Sequence, residues 1–294
     1  MPKISELKGV TRLDLSGTRI TDDDLAYIKG LSSIRELVLS GTNITDQGAA
    51  TVAALGGLTH LDLSGTNITD SAMGAIARLK NLKTLVLRDT TIGDPGLMAL
   101  KDAGLTSLSL RASQITDRGL GIIATMKQIT HLDLSDTVVS DKGLSSLKQL
   151  KVAQLLAARS NITGSALKGF RYLAQLTELD LSGTDADDAT LKNLRRCSRL
   201  ARLRVAHSRV SDTGIRYLPL RHLVELSLSH SFVSDAALSL VTRMPKLASL
   251  SVAGDRISDK GIGALKGHGA LRRLDLSMTN VSDTGLASLA TLKL

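Results

Sequence analysis

The chain has very few aromatic residues and almost no cysteine. Of its 294 residues, 2% are aromatic, none is tryptophan and one is cysteine. A single cysteine excludes an intrachain disulfide, which suits a reducing compartment. No segment approaches the roughly 20 apolar residues of a transmembrane helix, and the start, Met1 to Glu6, lacks the apolar run of a signal peptide. These absences predict no membrane association and a protein that is cytoplasmic, or exported without a cleaved signal peptide.

Sequence signals of catalysis are missing as well. The chain has no glycine-rich phosphate loop and no recognisable pairing of a nucleophile with a base. Cys197 falls where a helix pattern requires an apolar residue after Leu191 and Leu194. A small buried hydrophobe is therefore favoured there over a reactive thiol. The sequence predicts that the protein is not an enzyme and needs no cofactor.

A five-residue phrase, Thr-x-Ile-Thr-Asp, recurs in twelve versions, one every 23 or 24 residues. The versions begin at Thr18, Thr42, Thr66, Thr90, Ser113, Thr137, Ser160, Thr184, Ser208, Ser231, Asp255 and Thr279. A fixed period of this length is typical of stacked repeat proteins. Such proteins have one long surface of equivalent positions, so the period points to binding. No linker interrupts it, and we predict a single domain over residues 1–294.

Each repeat predicts a short strand followed by a short helix. In the third repeat, residues 60–64 alternate between polar and apolar, as a strand with one buried face does. From Met73 onward, apolar residues recur three apart at Ile76 and Leu79, which places them on one helix face. Thr69 and Asp70, just before that helix, form an N-terminal capping signal. Strands one repeat apart are expected to pair as a parallel sheet.

The first residue of the phrase forms a column of hydroxyls. It is Thr seven times, Ser four times and Asp once. A buried turn leaves backbone groups that need partners, and a hydroxyl can both donate and accept. We therefore expect each hydroxyl to bond with the turn of the adjacent repeat, as a ladder.

The pattern resembles the leucine-rich repeat, L-x-x-L-x-L-x-x-N/C-x-L, over essentially the whole chain. The second repeat matches it at Ile34, Leu37, Leu39 and Ile44, with Thr42 in place of the usual Asn or Cys. The phrase from Ile115 to Leu120 is similar to the cysteine-containing subclass found in F-box leucine-rich-repeat proteins. This resemblance implies a right-handed α/β solenoid of about twelve repeats, shaped as a horseshoe. Its parallel sheet would form the concave face, and short helices would form the convex face.

Departures from the repeat mark candidate binding positions on the predicted concave face. Plain repeats carry small or bland residues there, such as Ser64 and Gly65. The candidate residues differ from that pattern and are charged, imidazole or aromatic: Arg88, Arg111, Asp136, Arg159, Arg202, Arg204, His207, Arg209, His230 and Phe232. An aromatic residue among arginines is the composition of an interface hot spot. Neutral drift at tolerant surface positions is the alternative.

Three groups of residues resemble ligand sites, and each fits such a site poorly. His207 and His230 occupy equivalent positions and could lie about 5 Å apart, the strand spacing, but no third ligand completes a zinc site. Asp185, Asp187 and Asp188 lack the loop and closing Glu of a calcium site, and capping explains at least Asp188. In repeat seven, Ala157 and Gly164 replace consensus residues, which predicts a packing irregularity rather than a ligand gap.

The net charge of +9 bears on the partner. Arginines on the concave side suit an acidic surface, so the leading hypothesis is a non-catalytic adapter that binds an acidic protein there. An inhibitor or immunity protein covering an enzyme's active site is a second hypothesis. Anion or nucleic-acid binding is a third, and the scarcity of stacking aromatics disfavours nucleic acid. Neither end shows a polar cap, at Ile4 and Leu7 or at Leu292 and Leu294, which predicts a monomer or weak end-to-end association.

Overall fold

The computed structural model describes residues 9–219 and 221–291. Within it the chain forms two compact units. Unit 1 contains the described residues up to Val139 together with Gln149–Lys151, and unit 2 contains Ser140–Lys148 and the described residues from Val152 onward. The features predicted at Ile4, Leu7, Leu292 and Leu294 lie outside the described residues. The single domain over 1–294 stays a prediction.

Both units are built on parallel strands of three residues, in chain order along the sheet. Unit 1 contains β1 to β6: Arg12–Asp14, Glu36–Val38, His60–Asp62, Thr84–Val86, Ser107–Ser109 and His131–Asp133. Unit 2 contains β7 to β12: Gln154–Leu156, Glu178–Asp180, Arg202–Arg204, Glu225–Ser227, Ser249–Ser251 and Arg273–Asp275. The central leucines of neighbouring strands face one another, as Leu37 faces Leu61 in unit 1 and Leu203 faces Leu226 in unit 2. The predicted strand of each repeat is confirmed.

Short helices follow the strands, and all the α-helices except α2 begin at the predicted aspartates. The α-helices α1 to α10 are Asp46–Val52, Met73–Ile76, Asp94–Leu100, Asp117–Ile123, Asp141–Leu144, Asp188–Asn193, Asp212–Ile215, Asp235–Val241, Asp259–Ala264 and Asp283–Ser288. Turns of 3₁₀ helix lie at Asp22–Tyr27, Asp70–Ala72, Ser145–Gln149, Ser165–Gly169, Leu173–Gln175, Leu194–Arg196 and Leu289–Thr291. Most helices are capped as predicted; the Thr45 hydroxyl, for example, accepts from the Gln47 N–H at the start of α1.

The core of each unit is a narrow column of aliphatic side chains. Leu37, Leu39 and Ile44 of the second repeat are fully buried, and equivalent residues are buried in the inner repeats. In the first and twelfth repeats the equivalent strand leucines, such as Leu13 and Leu274, are half-buried. Cys197 lies in the same column, and its burial raises the pKa of the thiol to about 12. It is therefore a small core residue, as predicted, because a thiol with that pKa is not a nucleophile near neutral pH.

The predicted hydroxyl ladder is wrong in its direction. The Thr66 hydroxyl donates to the Leu63 carbonyl, three residues earlier in its own repeat, at 2.6 Å. Thr42 and Ser208 do the same with Leu39 and Val205. The turn after each strand brings the hydroxyl within reach of the carbonyl of the residue that follows the strand. These hydroxyls close turns within repeats; the column joins neighbours at Ser231, whose N–H and hydroxyl donate to Asp255 of the next repeat.

The bonds that join neighbouring repeats come from a different column, the aspartate that ends the phrase. Its carboxylate accepts from the backbone N–H of the capping Thr or Ser in the next repeat at 2.7–3.0 Å, and from that hydroxyl at 2.5–2.6 Å. We call this set the carboxylate ladder. It joins Asp22 to Thr45, Asp46 to Thr69 and Asp94 to Thr116 in unit 1; in unit 2 it joins Asp141 to Thr163, Asp188 to Ser211, Asp212 to Ser234, Asp235 to Ser258 and Asp259 to Ser282.

The carboxylate ladder also explains the glycine that follows two residues after most of these aspartates. A Cβ atom on Gly214 would lie 2.4 Å from an Asp188 carboxylate oxygen. Hydrogen bonds from Ser282 hold the pKa of Asp259 below its usual range, as expected for a carboxylate that accepts from both a hydroxyl and an N–H. The aspartate, the capping residue and the glycine thus act together across two repeats.

Repeat seven interrupts the carboxylate ladder, at the position where its sequence predicts a packing irregularity. Gly164 stands in place of the aspartate and has a left-handed φ of +86°. The space beside it is filled by Thr190, since a Cβ on Gly164 would lie 2.4 Å from the Thr190 methyl carbon. The Thr190 hydroxyl donates to the Thr163 carbonyl at 2.6 Å. A hydroxyl from the following repeat therefore replaces the missing carboxylate, and the space is not a ligand gap.

A substitution at Thr66 tests the role of the hydroxyl column. Thr66→Val keeps the side-chain shape but leaves the buried Leu63 carbonyl without its donor, at an expected cost of about 1–3 kcal/mol in urea unfolding. Thr66→Ser keeps the donor and should cost less. Hydrogen exchange should show loosening confined to the third repeat. Equal loosening in the second and fourth repeats would instead show that the Thr66 hydroxyl joins neighbouring repeats.

Candidate protein-interaction surface

One residue per repeat lies in the left-handed region of backbone conformation. It directly precedes the hydroxyl column, and we call these twelve positions the turn column. Five are glycines: Gly17, Gly41, Gly65, Gly183 and Gly254. The other seven are Asp89, Ala112, Asp136, Arg159, His207, His230 and Met278, with φ between +50° and +58°. Residues with a Cβ pay on the order of 1 kcal/mol or more for this conformation, so the side chains at these positions are retained against a backbone cost.

Four predicted site residues, Asp136, Arg159, His207 and His230, belong to the turn column. In sequence they stand out as departures from the plain repeat, but their shared backbone conformation was not predicted. The glycine at the equivalent position of plain repeats, such as Gly17, is the sequence feature that indicates a left-handed conformation there. Unlike the buried leucines, His207 and His230 are exposed.

The imidazoles of His207 and His230 stack on one another. Their ring centroids are 4.4 Å apart and their planes differ by 13°, close to the separation predicted from strand spacing. The ring of His230 continues over the next repeat, because a Cβ on Gly254 would lie 2.3 Å from its Nδ1. Arg159 lies over Gly183 in the same way, with Cγ 2.8 Å from the corresponding Cβ position. Glycine in one repeat thus makes room for the side chain of the repeat before it.

Phe232 follows His230 by two residues, in the turn after β10. Its backbone N–H donates to the Val210 carbonyl at 2.9 Å, which fixes it beside repeat nine. The side chain is 58% exposed. An aromatic ring with that exposure next to a stacked imidazole pair offers flat, rigid contact area, which is what interface hot spots use.

The predicted arginines of repeats nine and ten are paired with glutamates of the neighbouring strands. Arg204 in β9 contacts Glu178 in β8 at 2.8 Å and Glu225 in β10 at 2.7 Å. Arg202 contacts the same two glutamates at 3.3 Å and 3.9 Å. Partial burial acts to lower the pKa of Arg204, but hydrogen bonds to Glu225 and Glu178 raise it above its usual value. Arg202 and Arg204 thus form a charge network across three strands.

Three further predicted arginines, Arg88, Arg111 and Arg209, also have carboxylate partners. Arg88 lies 3.4 Å from Asp133, and Arg111 lies 2.8 Å from Asp136. Arg209 forms an exposed ion pair with Asp185. These pairs are not evident in the sequence because each partner lies in another repeat. The arginines are therefore not isolated cations.

The outward-facing strand residues carry net negative charge, although the chain carries +9. We define the strand face as the first and third residues of each strand. In unit 2 these include Arg202, Arg204 and Arg273 against Glu178, Glu225, Asp180 and Asp275, a net of 3 − 4 = −1. In unit 1, Arg12 stands against four acidic residues, Asp14, Glu36, Asp62 and Asp133, a net of 1 − 4 = −3. The positive charge of the protein lies elsewhere.

The three aspartates considered as calcium ligands each have a structural role. Asp185 pairs with Arg209. Asp187 is the N-cap of α6 and accepts from the Thr190 N–H at 3.0 Å, whereas Asp188 belongs to the carboxylate ladder. The prediction that Asp188 is the cap is therefore wrong by one residue. Within the described part of the chain, no group of three His, Cys, Asp or Glu residues could hold a metal ion.

Comparison with known proteins agrees with this architecture. Models of the leucine-rich repeat family match residues 8–68, 32–92, 127–148 and 271–290. With its twelve strand–turn–helix repeats, the chain is a leucine-rich repeat protein. The cysteine-containing subclass is not confirmed. No curated protein sequence matches the chain.

Solved structures show the same fold at low sequence identity. An internalin from Listeria monocytogenes str. 4b F2365 is similar over 98% of this chain and 87% of its own, with a TM-score of 0.69 and 22% identity. A leucine-rich repeat protein of Leptospira interrogans is similar over 99% and 85%, with a TM-score of 0.61 and 19% identity. The mouse RP105/MD-1 complex contains a chain similar over 98% and 51%, with a TM-score of 0.64 and 21% identity. Among the described residues, no helix has the length and apolar character needed to cross a membrane.

Proposed function

We propose that this protein is a non-catalytic interaction module, and that its partner protein binds the turn column and strand face of unit 2 around His207, His230 and Phe232. The observation that carries the proposal is the exposed, stacked histidine pair. Ala112 and Met278 share its positive φ, so the proposal rests on the stacked rings and not on the backbone conformation. Exposed, preordered rings lose little side-chain entropy on binding, which favours them as contact residues.

Two of the similar structures support a protein partner. Both are complexes with other proteins, the mouse RP105/MD-1 complex and an octameric complex that contains FLRT2 (LRR) with Latrophilin 3 and Unc5D. The acidic character of the partner stays a prediction. The net charge of the strand face does not favour it there, since Arg202 and Arg204 already contact Glu178 and Glu225. Recognition by aromatic and imidazole contacts is the better fit.

The turn column allows a test that removes side chains without harming the fold. In the variant His207→Gly, His230→Gly, Phe232→Asn, each residue becomes the one found in plain repeats, such as Gly65 and Asn67. Glycine relieves the positive-φ cost, so urea unfolding should show equal or greater stability, by about 1–2 kcal/mol. Affinity for a partner recovered by affinity purification should fall more than tenfold, because hot-spot side chains contribute about 2 kcal/mol or more.

Ala112→Gly is the matched control, since it makes the same kind of backbone change in unit 1. It should leave the affinity unchanged. If the triple variant binds as tightly as the wild type, this surface is not the interface. If the recovered partner is an enzyme that binding silences, the inhibitor hypothesis replaces the adapter hypothesis at the same surface.

A further inference from the structure

The positive charge of unit 2 is concentrated in five stretches that run from a helix toward the next strand, which we call the arms: residues 165–176, 189–201, 213–224, 236–248 and 260–272. Four of the arms begin directly after the aspartate that starts an α-helix, at Asp188, Asp212, Asp235 and Asp259. Together the five arms contain thirteen Lys and Arg residues and no Asp or Glu. Surface charges of one sign repel each other, and ordinary surfaces intersperse both signs. The arms therefore offer a surface that attracts negatively charged partners.

Five of these cations line a groove of about 500 Å³ between the arms of repeats seven and eight. Its cations come from both arms and are all exposed: Lys168, Arg171, Lys192, Arg195 and Arg196. None of these five forms an ion pair with a carboxylate among the described residues. They differ in this from Arg204 and Arg202 on the strand face, which share Glu178 and Glu225.

The groove also has apolar lining residues, Phe170, Leu173, Ala174 and Ala189. Arg171 lies 5.6 Å from the ring centroid of Tyr172, and Lys192 lies 5.8 Å from that of Tyr217. These contacts hold two of the cations in place by cation–π attraction. The groove thus combines ordered positive charge with apolar contact area.

We propose that this groove binds an acidic polypeptide segment that carries apolar side chains among its carboxylates. Carboxylates pair with the arginines of the groove, for which the guanidinium geometry is suited, and apolar side chains cover Phe170 and Leu173. A nucleic-acid backbone offers phosphates but no apolar side chains for Phe170 and Leu173. A flat membrane surface fits a groove poorly, because a concavity leaves its lining out of reach of a plane.

The occupant can be tested with a short fluorescein-labelled peptide rich in glutamate and containing two leucines. Fluorescence anisotropy at low ionic strength should show binding to the wild-type protein and none for a matched peptide with glutamine in place of glutamate. Binding should weaken as salt is added, because exposed charge pairs are screened. Duplex DNA and anionic lipid vesicles, added as competitors, should displace the peptide weakly. Displacement by either at lower concentration than by unlabelled peptide would overturn the assignment of a polypeptide.

Charge-matched variants separate the groove from general attraction. Arg195→Glu with Arg196→Glu should weaken peptide binding about tenfold or more, and Arg195→Gln with Arg196→Gln should weaken it less. Lys260→Glu with Lys266→Glu makes the same change in net charge on an arm outside this groove and should weaken binding less than about threefold. Equal losses in the two glutamate pairs would overturn the proposal. His207→Gly with His230→Gly should leave peptide binding intact, so this proposal and the one for the strand face fail independently.

Discussion

Replacing Asp188 with alanine is expected to destabilise the protein by about 2–4 kcal/mol. The Asp188 carboxylate accepts from the Ser211 N–H at 2.8 Å and from the Ser211 hydroxyl at 2.6 Å. That hydroxyl in turn accepts from the Thr213 N–H at 3.2 Å, at the start of α7. One carboxylate therefore supports the whole cap of the next helix. Hydrogen bonds to charged groups contribute about 1.5–3 kcal/mol each, and their loss leaves the partners unsatisfied.

Urea unfolding measures this loss, and Asp185→Ala is its control. Asp185 lies three residues earlier and forms an exposed ion pair with Arg209, which is expected to contribute less than about 1 kcal/mol. Hydrogen exchange in Asp188→Ala should show loosening at α7, since a stack of repeats transmits damage mainly to the nearest neighbour. If the two variants lost similar stability, the carboxylate ladder would not join the repeats energetically.

Asp255→Thr is expected to stabilise the protein by about 2–3 kcal/mol at pH 8. Asp255 is the one carboxyl in the hydroxyl column and is 5% exposed. Its Oδ1 accepts from the Ser231 N–H at 2.8 Å, while Oδ2 is buried and has no hydrogen-bond partner in the described part of the chain. Burial raises the pKa of Asp255 to about 6, although hydrogen bonds from Ser231 act in the opposite direction. Threonine, as at Thr279, supplies a neutral hydroxyl instead.

The expected gain depends on pH. Because the pKa of Asp255 is higher in the folded protein than its ordinary 3.8, the folded state holds the proton more tightly. The stability from this carboxyl is fully present below about pH 4 and is lost as pH rises through about 6, at 1.36 kcal/mol per pKa unit. The advantage of Asp255→Thr should therefore grow from pH 4 to pH 7 and then level off. Equal advantage at pH 4 and pH 8 would contradict a charged, buried carboxylate.

Asp275→Asn provides a control of opposite sign for the pH series. Hydrogen bonds from Ser277 hold the pKa of Asp275 below its usual range. That carboxylate adds stability above about pH 4, which is lost as pH falls through its lowered pKa. Its substitution should cost stability at pH 8 and become neutral in acid. The two variants together separate a specific effect of Asp255 from a general response to acid.

The local architecture could be predicted from sequence because it is encoded within one repeat. The alternation at residues 60–64 and the spacing of Met73, Ile76 and Leu79 are local, and the structure places β3 and α2 there. The bonds between repeats were assigned to the wrong hydroxyl. Thr66 and Thr69 have the same chemistry in sequence, and only the fold shows that Thr69 faces Asp46 of the preceding repeat while Thr66 does not.

The candidate surface was predicted less well, because contacts between repeats are again not evident in the sequence. Arg202 and Arg204 stand out in sequence as cations, and their glutamate partners lie one repeat away on either side. A cluster of positive charge in the sequence is therefore neutralised in the sheet by glutamates of the neighbouring strands. His207 and His230 were placed correctly relative to each other, because residues one period apart become neighbours. Their left-handed backbone follows from comparing them with Gly183 in the same column.

Each carboxylate of the ladder reaches only the repeat that follows it, and this bears on how such a chain lengthens. A DNA segment that encodes one period carries an aspartate for the next copy and a capping residue for the previous one. Unequal recombination between two copies would therefore insert or delete a complete unit without leaving an unmatched bond at the junction. The turn column can then diverge in the new copy, because the bonds that hold copies together lie on other residues. Growth in length and change in recognition are genetically separate in a protein built this way.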